Sequence, residues 1–259
     1  MTIELKNVTI GYGRTPVVDD INLRLEGGHF YCLLGANGIG KTTLFKTILG
    51  LLPPLGGEVL IEDKPLHSMP LVELSECISY VPQAKASAYD MDVRDVVVMG
   101  RTRFIKKFAQ PSEYDYEMSA EILERLGIQK LADKQYSELS GGEQQIVLIA
   151  RALTQEARFV LMDEPASNLD FENQKKVLEC LQQLSGSGIG VLLSSHSPDH
   201  AIYCDMELIL IDRNRHIHTG KIDEILTDQL LREVYGVDIH LISDVTKDGK
   251  VVQSCCLVK

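Results

Sequence analysis

Three short stretches of the sequence combine the residue types that phosphate-ester chemistry requires. The first, GANGIGKT at residues 35–42, follows an apolar run that predicts a buried strand and precedes a run with helical spacing. Its glycines let backbone N–H groups curve around phosphate oxygens, and the positive end of the following helix favours negative charge. The Lys41 ammonium is expected to reach the β- and γ-phosphates, and the Thr42 hydroxyl to bind Mg²⁺. This stretch predicts a nucleotide-phosphate site.

The second stretch, FVLMDEP at residues 159–165, ends an apolar run with two acids. That order places both carboxylates at the tip of a buried strand, where ligands gather in parallel sheets. Asp163 is expected to help hold Mg²⁺ through water, and Glu164 to polarise the attacking water as a general base. A solvated acidic turn is the alternative, and the intact phosphate loop upstream argues against it.

The third stretch, LSGGEQQ at residues 139–145, looks like half of a phosphate site, because it has a hydroxyl and two glycines but no lysine. Ser140 can cap the apolar helix that follows, which leaves N–H groups and a positive helix end aimed outward. A simple helix-start turn is the alternative reading. Such a turn would not require the two successive glycines Gly141 and Gly142.

Two polar side chains follow further strand patterns. His196 ends the apolar run GVLLSSH, and Gln83 follows the short pattern YVPQ. A histidine after a strand is more often structural, but a third strand tip beside the other two would face the γ-phosphate. An amide in the position of Gln83 can bind Mg²⁺ or water while its own loop moves.

The elements that must position these residues alternate between strand and helix patterns. TIELKNVTIGYG and VVDDINLRLEGG predict two N-terminal strands. The helix and strand patterns that alternate within residues 146–196 argue for a largely parallel sheet covered by helices. Between these parts, residues 93–134 change character, and EYDYEMSAEILERLGI predicts an amphipathic helix. The sequence predicts an α/β core with a helical insertion.

Composition excludes several classes of protein. The net charge of −11 over 259 residues argues against a general grip on nucleic-acid phosphates. No apolar run is long enough to span a bilayer, and the N-terminus lacks the continuous hydrophobic segment of a secretory signal. Six cysteines in no C-x-x-C pattern predict reduced thiols, and nothing nearby supports a redox role for Cys255–Cys256. HIH at residues 216–218 has no second ligand cluster, which disfavours a metal site.

Taken in order, these motifs resemble the nucleotide-binding subunits of ATP-binding cassette (ABC) transporters over nearly the whole chain. Tyr12 lies where the family has an aromatic that stacks on adenine, Gln83 matches the Q-loop, and LSGGE matches the signature motif. SNLD at residues 167–170 matches the D-loop, and His196 matches the switch histidine. The resemblance implies one domain over 1–259, with a P-loop NTPase core, an N-terminal antiparallel β subdomain and a helical subdomain at about 84–158 inserted in the RecA-like core.

The resemblance also implies the members of the site and the cofactors ATP and Mg²⁺. The ATP-binding residues would be Tyr12, Gly35, Ala36, Asn37, Gly38, Ile39, Gly40, Lys41, Thr42 and Thr43. The catalytic residues would be Glu164, His196 and Gln83, and the metal would be held by Thr42, Gln83 and Asp163. Two copies would face each other head to tail, so that each ATP also contacts Ser140, Gly141, Gly142, Glu143 and Asp170 of the other copy. This arrangement would explain why LSGGEQQ has no lysine, since the other copy would supply it.

Three positions depart from the family pattern. Ile146 stands where many relatives have arginine, although apolar residues also occur there in importer subunits. Ile39 occupies a phosphate-loop position where small or polar residues are commoner, and Asn168 replaces the common alanine of the D-loop. Only the backbone of residue 39 need face phosphate, so the departure does not put nucleotide binding in doubt.

The segment from residue 96 to the signature motif is similar to subunits that drive import of iron-siderophore, haem, cobalamin or molybdate-type compounds. That similarity implies a peripheral protein at the cytoplasmic face of the membrane, with integral membrane permease subunits as partners and a substrate-binding protein as an indirect one. The basic stretch Arg101–Lys107 lies where such a subunit meets its membrane partner, although a solvated face is the commoner role. The alternative function is a soluble ABC ATPase without a channel, such as one that serves iron–sulfur cluster assembly.

Overall fold

The computed structural model describes residues 1–83, 91–106, 108–167, 169–249 and 251–258. Its strands, in chain order, are β1 (Thr2–Tyr12), β2 (Thr15–Glu26), β3 (Phe30–Gly35), β4 (Gly56–Ile61), β5 (Lys64–Pro65), β6 (Ile78–Val81), β7 (Phe159–Met162), β8 (Gly190–Ser195), β9 (Glu207–Ile211), β10 (Ile217–Gly220), β11 (Ile239–Val245) and β12 (Val251–Leu257). Its α-helices are α1 (Lys41–Ile48), α2 (Leu71–Cys77), α3 (Val93–Val98), α4 (Glu113–Arg125), α5 (Gly141–Thr154), α6 (Phe171–Gly186), α7 (Pro198–Cys204), α8 (Ile222–Ile225) and α9 (Asp228–Tyr235).

The N-terminal strands form an antiparallel sheet in the order β2-β1-β4-β5. The buried side chains of β1 begin with Ile3 and Leu5 and continue with Val8 and Ile10, so the two-residue alternation changes phase once. The register shifts at this point, and Asn7 has a φ of 49°. A bulge with one residue in the left-handed region restores the apolar face after the phase change.

The second sheet brings the predicted functional motifs together. Its strand order is β10-β9-β3-β8-β7-β6, and all neighbours are parallel except the pair β9 and β10. The tips of β3, β8 and β7 are therefore adjacent, although these strands are far apart in the chain. The phosphate loop, His196 and the two acids of FVLMDEP follow these three strands directly. Ligand sites of open α/β sheets form at this carboxyl edge.

Each face of the parallel sheet packs into its own apolar cluster. Side chains of β3 alternate between them, with Cys32 and Leu34 in one cluster and Tyr31 and Leu33 in the other. The first cluster contains buried faces of α5 and α6, and the second contains α1 and the antiparallel sheet. Burial on both faces fixes the sheet between two layers, which holds the strand tips in place.

The described elements between β6 and β7 are helical, as the change of pattern in this region predicts. Helix α4 is capped by Ser112, whose hydroxyl accepts from the Asp115 backbone N–H. Helix α3 packs on α5 through buried valines, and both contribute to the first apolar cluster. The predicted helical subdomain also includes residues 84–90, which lie outside the described residues.

The basic stretch at residues 101–107 differs from the prediction of an outward-facing run. The Arg101 side chain is only 4% exposed, and its guanidinium contacts the Asp115 carboxylate at 3.2 Å and the Glu156 carboxylate at 2.6 Å. Arg103 donates to the backbone oxygen of Gln155 at 2.8 Å. These two arginines therefore join the helical region to the end of α5, and Lys107 lies outside the described residues. A role in contacting a partner or solvent is wrong for Arg101.

The chain ends in α9 and an antiparallel hairpin of β11 and β12. Asp228, at the start of α9, accepts from the Leu241 backbone N–H at 2.8 Å, and Asp199 of α7 accepts from the Cys255 backbone N–H at 2.9 Å. All six cysteines are free thiols, which agrees with the prediction from their spacing. Within the described residues, no helix is long and apolar enough to cross a membrane.

Candidate nucleotide-hydrolysis site

The phosphate loop depends on two glycines with positive φ. Gly38 has a φ of 77° and Gly40 a φ of 124°, values that residues other than glycine rarely adopt. A Cβ on Gly40 would also lie 3.0 Å from Val17 Cγ1. Ile39 packs partly into the second apolar cluster, and its Cγ2 would lie 2.9 Å from a Cβ on Gly35. The unusual isoleucine is therefore accommodated by packing against the strand end.

Lys41 is the first residue of α1, and only 6% of it is exposed. Its ammonium donates to the Gly35 carbonyl at 2.7 Å and to the Ala36 carbonyl at 3.4 Å. Burial lowers the pKa of Lys41, while the nearby Glu164 and Asp163 carboxylates oppose that shift. A poorly hydrated ammonium beside a helix start suits an anionic phosphate, because the attraction between charges is stronger out of water.

Asp163 follows the buried strand β7 and is itself 7% exposed. Its Oδ2 accepts from the Thr42 hydroxyl at 2.7 Å, and its Oδ1 accepts from the Ser194 hydroxyl at 2.6 Å. Carboxylate, hydroxyl and amide oxygens are the donors that Mg²⁺ takes in proteins, so Asp163, Thr42 and Gln83 fit the predicted ion. No motif in the sequence marks Ser194, because its place beside Asp163 follows from the order of the strands.

Glu164 is surrounded by the other predicted catalytic side chains. The Gln83 amide lies 3.3 Å from Glu164 Oε2, and His196 Nδ1 lies 3.7 Å from the same oxygen. The Lys41 ammonium lies 3.9 Å from Glu164 Oε1. The backbone of Glu164 has a φ of 49°, a left-handed conformation that turns the chain sharply at the strand tip. One carboxylate thus lies between the phosphate loop and two side chains that can orient water.

Tyr12 ends β1 near the outer side of α1. Its ring is half exposed, and the Thr43 hydroxyl lies 3.5 Å from the Tyr12 hydroxyl. That hydrogen bond lowers the pKa of Tyr12, with a smaller effect from the neighbouring Lys46. The Lys46 ammonium lies 6.0 Å from the ring centroid. An exposed aromatic face beside the phosphate loop can stack on a base.

The second group of predicted residues forms helix starts. Ser140 caps α5 in a reciprocal box: its hydroxyl accepts from the Glu143 backbone N–H at 3.3 Å, and its own N–H donates to the Glu143 carboxylate at 2.9 Å. Asp170 caps α6 by accepting from the Asn173 N–H at 2.8 Å, while Asn168 lies outside the described residues. Across the described ranges, no hydrogen bond or salt bridge links the Ser140–Glu143 segment to the phosphate loop.

The histidines of the HIH stretch have a partner within the fold. The buried Asp212 carboxylate lies 3.3 Å from His216 Nδ1 and 3.1 Å from His218 Nε2. In the part of the chain that the structure describes, no group of three or more potential ligands is placed to hold a metal ion.

Comparison with known proteins identifies the family. The chain matches the family model described as ABC transporter over residues 18–167. It is 40% identical over 242 residues to an uncharacterized ABC transporter ATP-binding protein of Haemophilus influenzae, covering 93% of this chain and 92% of that protein. It is 34% identical over 262 residues to the hemin import ATP-binding protein HmuV of Bordetella pertussis, covering 97% and 98%. The chain belongs to the ABC transporter family.

A further relative is named for the transport of a different cargo, manganese. The chain is 36% identical over 245 residues to the manganese transport system ATP-binding protein MntB of Bacillus subtilis, covering 93% of this chain and 95% of that protein. As a member of the ATP-binding subunits of this family, the protein is an ATPase. The predicted family and activity are confirmed.

Solved structures give the same result for the fold. A structure described as an inward-facing conformation of a metal-chelate type ABC transporter aligns with a TM-score of 0.88 and 28% identity, covering 100% of this chain and 98% of that chain. A bacterial ABC transporter cassette solved as a dimer aligns with a TM-score of 0.69 and 27% identity, covering 80% and 93%. The predicted α/β fold class is therefore confirmed, with its P-loop core, mainly parallel sheet and antiparallel β subdomain.

Proposed function

We propose that this protein is the ATP-hydrolysing subunit of an ABC importer for a metal-chelate type substrate, such as an iron-siderophore, haem, cobalamin or molybdate. The observation that carries this proposal is the full-length match to a metal-chelate type transporter. The hemin import relative supports the same class. The manganese relative widens the range of cargo to metal ions, so a metal-containing substrate is the property that these relatives share.

The proposed mechanism assigns a task to each side chain at the strand tips. Lys41 and the loop N–H groups bind the β- and γ-phosphates, and Tyr12 stacks on adenine. Thr42, Asp163 and Gln83 hold Mg²⁺, which when bound neutralises charge on the phosphate oxygens. Glu164 accepts a proton from the attacking water. The Glu164 side chain is 18% exposed, so water can reach its carboxylate.

His196 and Gln83 would orient the attacking water rather than exchange its proton. Both lie within 3.7 Å of Glu164 Oε2, and His196 is half exposed, so it can turn toward a γ-phosphate. Gln83 is followed by residues 84–90, which lie outside the described part of the chain. We therefore place Gln83 where the site meets the helical region that the family resemblance predicts at about 84–158.

The proposed site is completed by a second copy of the chain. Ser140 and Asp170 cap the starts of α5 and α6, and within the described residues no hydrogen bond joins either cap to Lys41. In a head-to-tail dimer, Ser140, Gly141, Gly142, Glu143 and Asp170 of one copy would face the γ-phosphate held by the other. The related cassette solved as a dimer supports the pairing of two copies.

The proposed contact with the membrane permease is a groove in the helical region. It has a volume of about 500 Å³ and lies beside the exposed side chain of Phe108. Its walls are formed by Met91, Asp95, Val98, Met99, Thr102, Ile105, Lys106, Phe108, Ala109, Gln110, Pro111 and Tyr116. A groove of this size, lined by both polar and apolar side chains, can receive a short helix of another protein. Docking there would place the protein peripherally at the cytoplasmic face of the membrane, with a substrate-binding protein as an indirect partner.

The proposal is tested by affinity capture from detergent-solubilised membranes of the protein's own host. We expect tagged protein to retain a polytopic membrane protein in a fixed ratio, and Phe108→Asp to lose it while ATP binding persists. Transport by the captured complex would then be measured with haem, iron-siderophore and manganese. Capture of soluble proteins alone, unchanged by Phe108→Asp, would instead favour the alternative, a channel-free ATPase of iron–sulfur cluster assembly.

A further inference from the structure

Ser194 lies at a point that no motif indicates. It is the fifth residue of β8 and is fully buried. In the sheet register Ser194 pairs with Leu33 of β3, and the preceding Leu193 pairs with Met162 of β7. The next residue after Met162 is Asp163, so the register itself places the Ser194 side chain beside the acid that follows β7.

The Ser194 hydroxyl joins the two consecutive acids. It donates to Asp163 Oδ1 at 2.6 Å and accepts from the Glu164 backbone N–H at 2.9 Å. A hydroxyl has one hydrogen to donate and lone pairs to accept with, so both contacts can form at once. The first contact is a short bond to a carboxylate, which is among the stronger types of hydrogen bond.

The two contacts have different consequences. Asp163 Oδ2 accepts from Thr42, so the Ser194 bond to Oδ1 leaves the Asp163 carboxylate held through both of its oxygens. The Glu164 backbone stands at a φ of 49°, a conformation that costs about 1 kcal/mol or more for a residue other than glycine. A hydrogen bond on the Glu164 N–H helps to keep that turn.

We infer that Ser194 is a positioning residue for the hydrolysis site, which fixes the orientation of the Asp163 carboxylate and the turn of Glu164 through one hydroxyl. This inference rests on the proposed roles of Asp163 in holding Mg²⁺ and of Glu164 as base. In this role Ser194 would act through Asp163 and Glu164 and would need no contact with ATP or the ion. It acts as an outer partner of a metal-binding carboxylate, a position whose loss typically lowers metal affinity or activity by about 10- to 100-fold.

The test compares wild-type protein, Ser194→Ala and a matched control, Ser79→Ala. Ser79 lies in β6 of the same sheet and is 1% exposed, and its hydroxyl has no hydrogen-bond partner among the described residues. Equilibrium affinity for ATP is measured for each protein in Mg²⁺ and in EDTA, together with thermal unfolding. The comparison of the two media isolates the contribution of the ion, which a loss of stability alone would not change.

We expect Ser194→Ala to bind ATP in EDTA as tightly as wild type, because the phosphate loop is unaltered. Its gain in affinity on adding Mg²⁺ should be about tenfold smaller than in wild type, and kcat should fall by a similar factor. Ser79→Ala should match wild type in both quantities. A wild-type gain and kcat in Ser194→Ala would overturn the inference even if its unfolding temperature were lower. A wild-type protein that gains no affinity from Mg²⁺ would overturn the proposed metal site itself and the inference with it.

Discussion

At the scale of single residues, Glu164 is where the proposed chemistry depends on one functional group. Its carboxylate lies near Gln83, His196 and Lys41, and it follows Asp163, the acid proposed to hold Mg²⁺. Glu164→Gln keeps the size of the side chain but removes the base. We expect kcat to fall by about 10²- to 10⁴-fold, while ATP binding persists and an ATP-bound dimer accumulates. Phosphate release and size-exclusion chromatography with ATP measure the two effects.

The control for this variant is Glu172→Gln, which changes an exposed acid of α6 that pairs with Lys176. It should hydrolyse ATP at the wild-type rate, because an exposed ion pair of this kind contributes little to the stability of the fold. Hydrolysis by Glu164→Gln at a rate near that of this control would exclude Glu164 as the base.

His200, four residues after His196, makes the stability of the folded chain depend on pH. Its Nδ1 lies 3.0 Å from the Ser195 hydroxyl, and burial lowers its pKa, assisted by His196 and opposed by Asp199. The unfolded chain therefore takes up a proton here at higher pH than the folded chain does. The stability that depends on neutral His200 is complete above the ordinary pKa of about 6.5 and is lost as pH falls toward the folded value.

We expect His200→Gln to lose less stability than wild type between about pH 7.5 and about pH 5.5, because glutamine cannot take up the proton. Denaturant unfolding at the two pH values measures the difference in free energy of unfolding. Equal losses in the two proteins would mean that His200 protonates as readily in the folded state as in the unfolded state.

Residues with distinctive local chemistry could be predicted from the sequence, and residues with ordinary chemistry could not. Lys41, Asp163 and Glu164 stand in patterns whose spacing reports their neighbours, and the structure brings them together. Ser194 is one serine of a pair in an apolar strand, and its partners Asp163 and Glu164, which follow β7, lie 31 and 30 residues away in sequence. Only the order of strands in the sheet identifies it.

At the scale of elements, the attachment of the helical region depends on Arg101. Hydrogen bonds from Ser112, with a smaller contribution from Arg101, lower the pKa of Asp115, so this carboxylate is charged where Arg101 meets it. Arg101→Ala would leave that buried charge without its cation. We expect a loss of about 3 kcal/mol in the free energy of unfolding, measured by denaturant titration.

Lys106 provides the matched comparison, since it is an exposed cation of the same basic stretch. Lys106→Ala should change stability by no more than about 0.5 kcal/mol. If both variants were equally stable, the buried pairing of Arg101 would be unimportant, and a role for the basic stretch at the surface would regain support.

Elements with a single clear period were predicted well, and those shaped by distant contacts were not. The strand patterns of TIELKNVTIGYG and GVLLSSH appear as β1 and β8. The bulge at Asn7 depends on pairing with β2, and the hairpin of β11 and β12 depends on anchoring by Asp228 and Asp199. Contacts of this kind cannot be inferred from local periodicity.

At the scale of the whole molecule, no hydrogen bond or salt bridge among the described residues of one chain joins the phosphate loop to the start of α5. Lys41 belongs to the strand-tip cluster, whereas Ser140 caps α5 and has no described bond to that cluster. If one site needs both residues, a lone chain binds ATP but hydrolyses it poorly. The hydrolysis rate per molecule of protein should then rise with protein concentration, until nearly all of the ATP-bound protein is dimeric.

A mixed dimer tests this sharing directly. We would combine Lys41→Ala with Ser140→Asn, because asparagine caps helices about as well as serine and so preserves α5 while replacing the hydroxyl. Each variant alone should be inactive, since every site of a head-to-tail dimer then carries the defect. In an equal mixture about half of the dimers are mixed, and each mixed dimer has one site with both defects and one site with neither. We expect partial recovery of phosphate release in the mixture. As a control, each variant is mixed with protein that carries the same substitution together with Glu164→Gln. No recovery is expected there, because every site then has that substitution. No recovery in a mixture shown to exchange subunits would mean that Ser140 serves the Lys41 of its own chain or serves only as a cap.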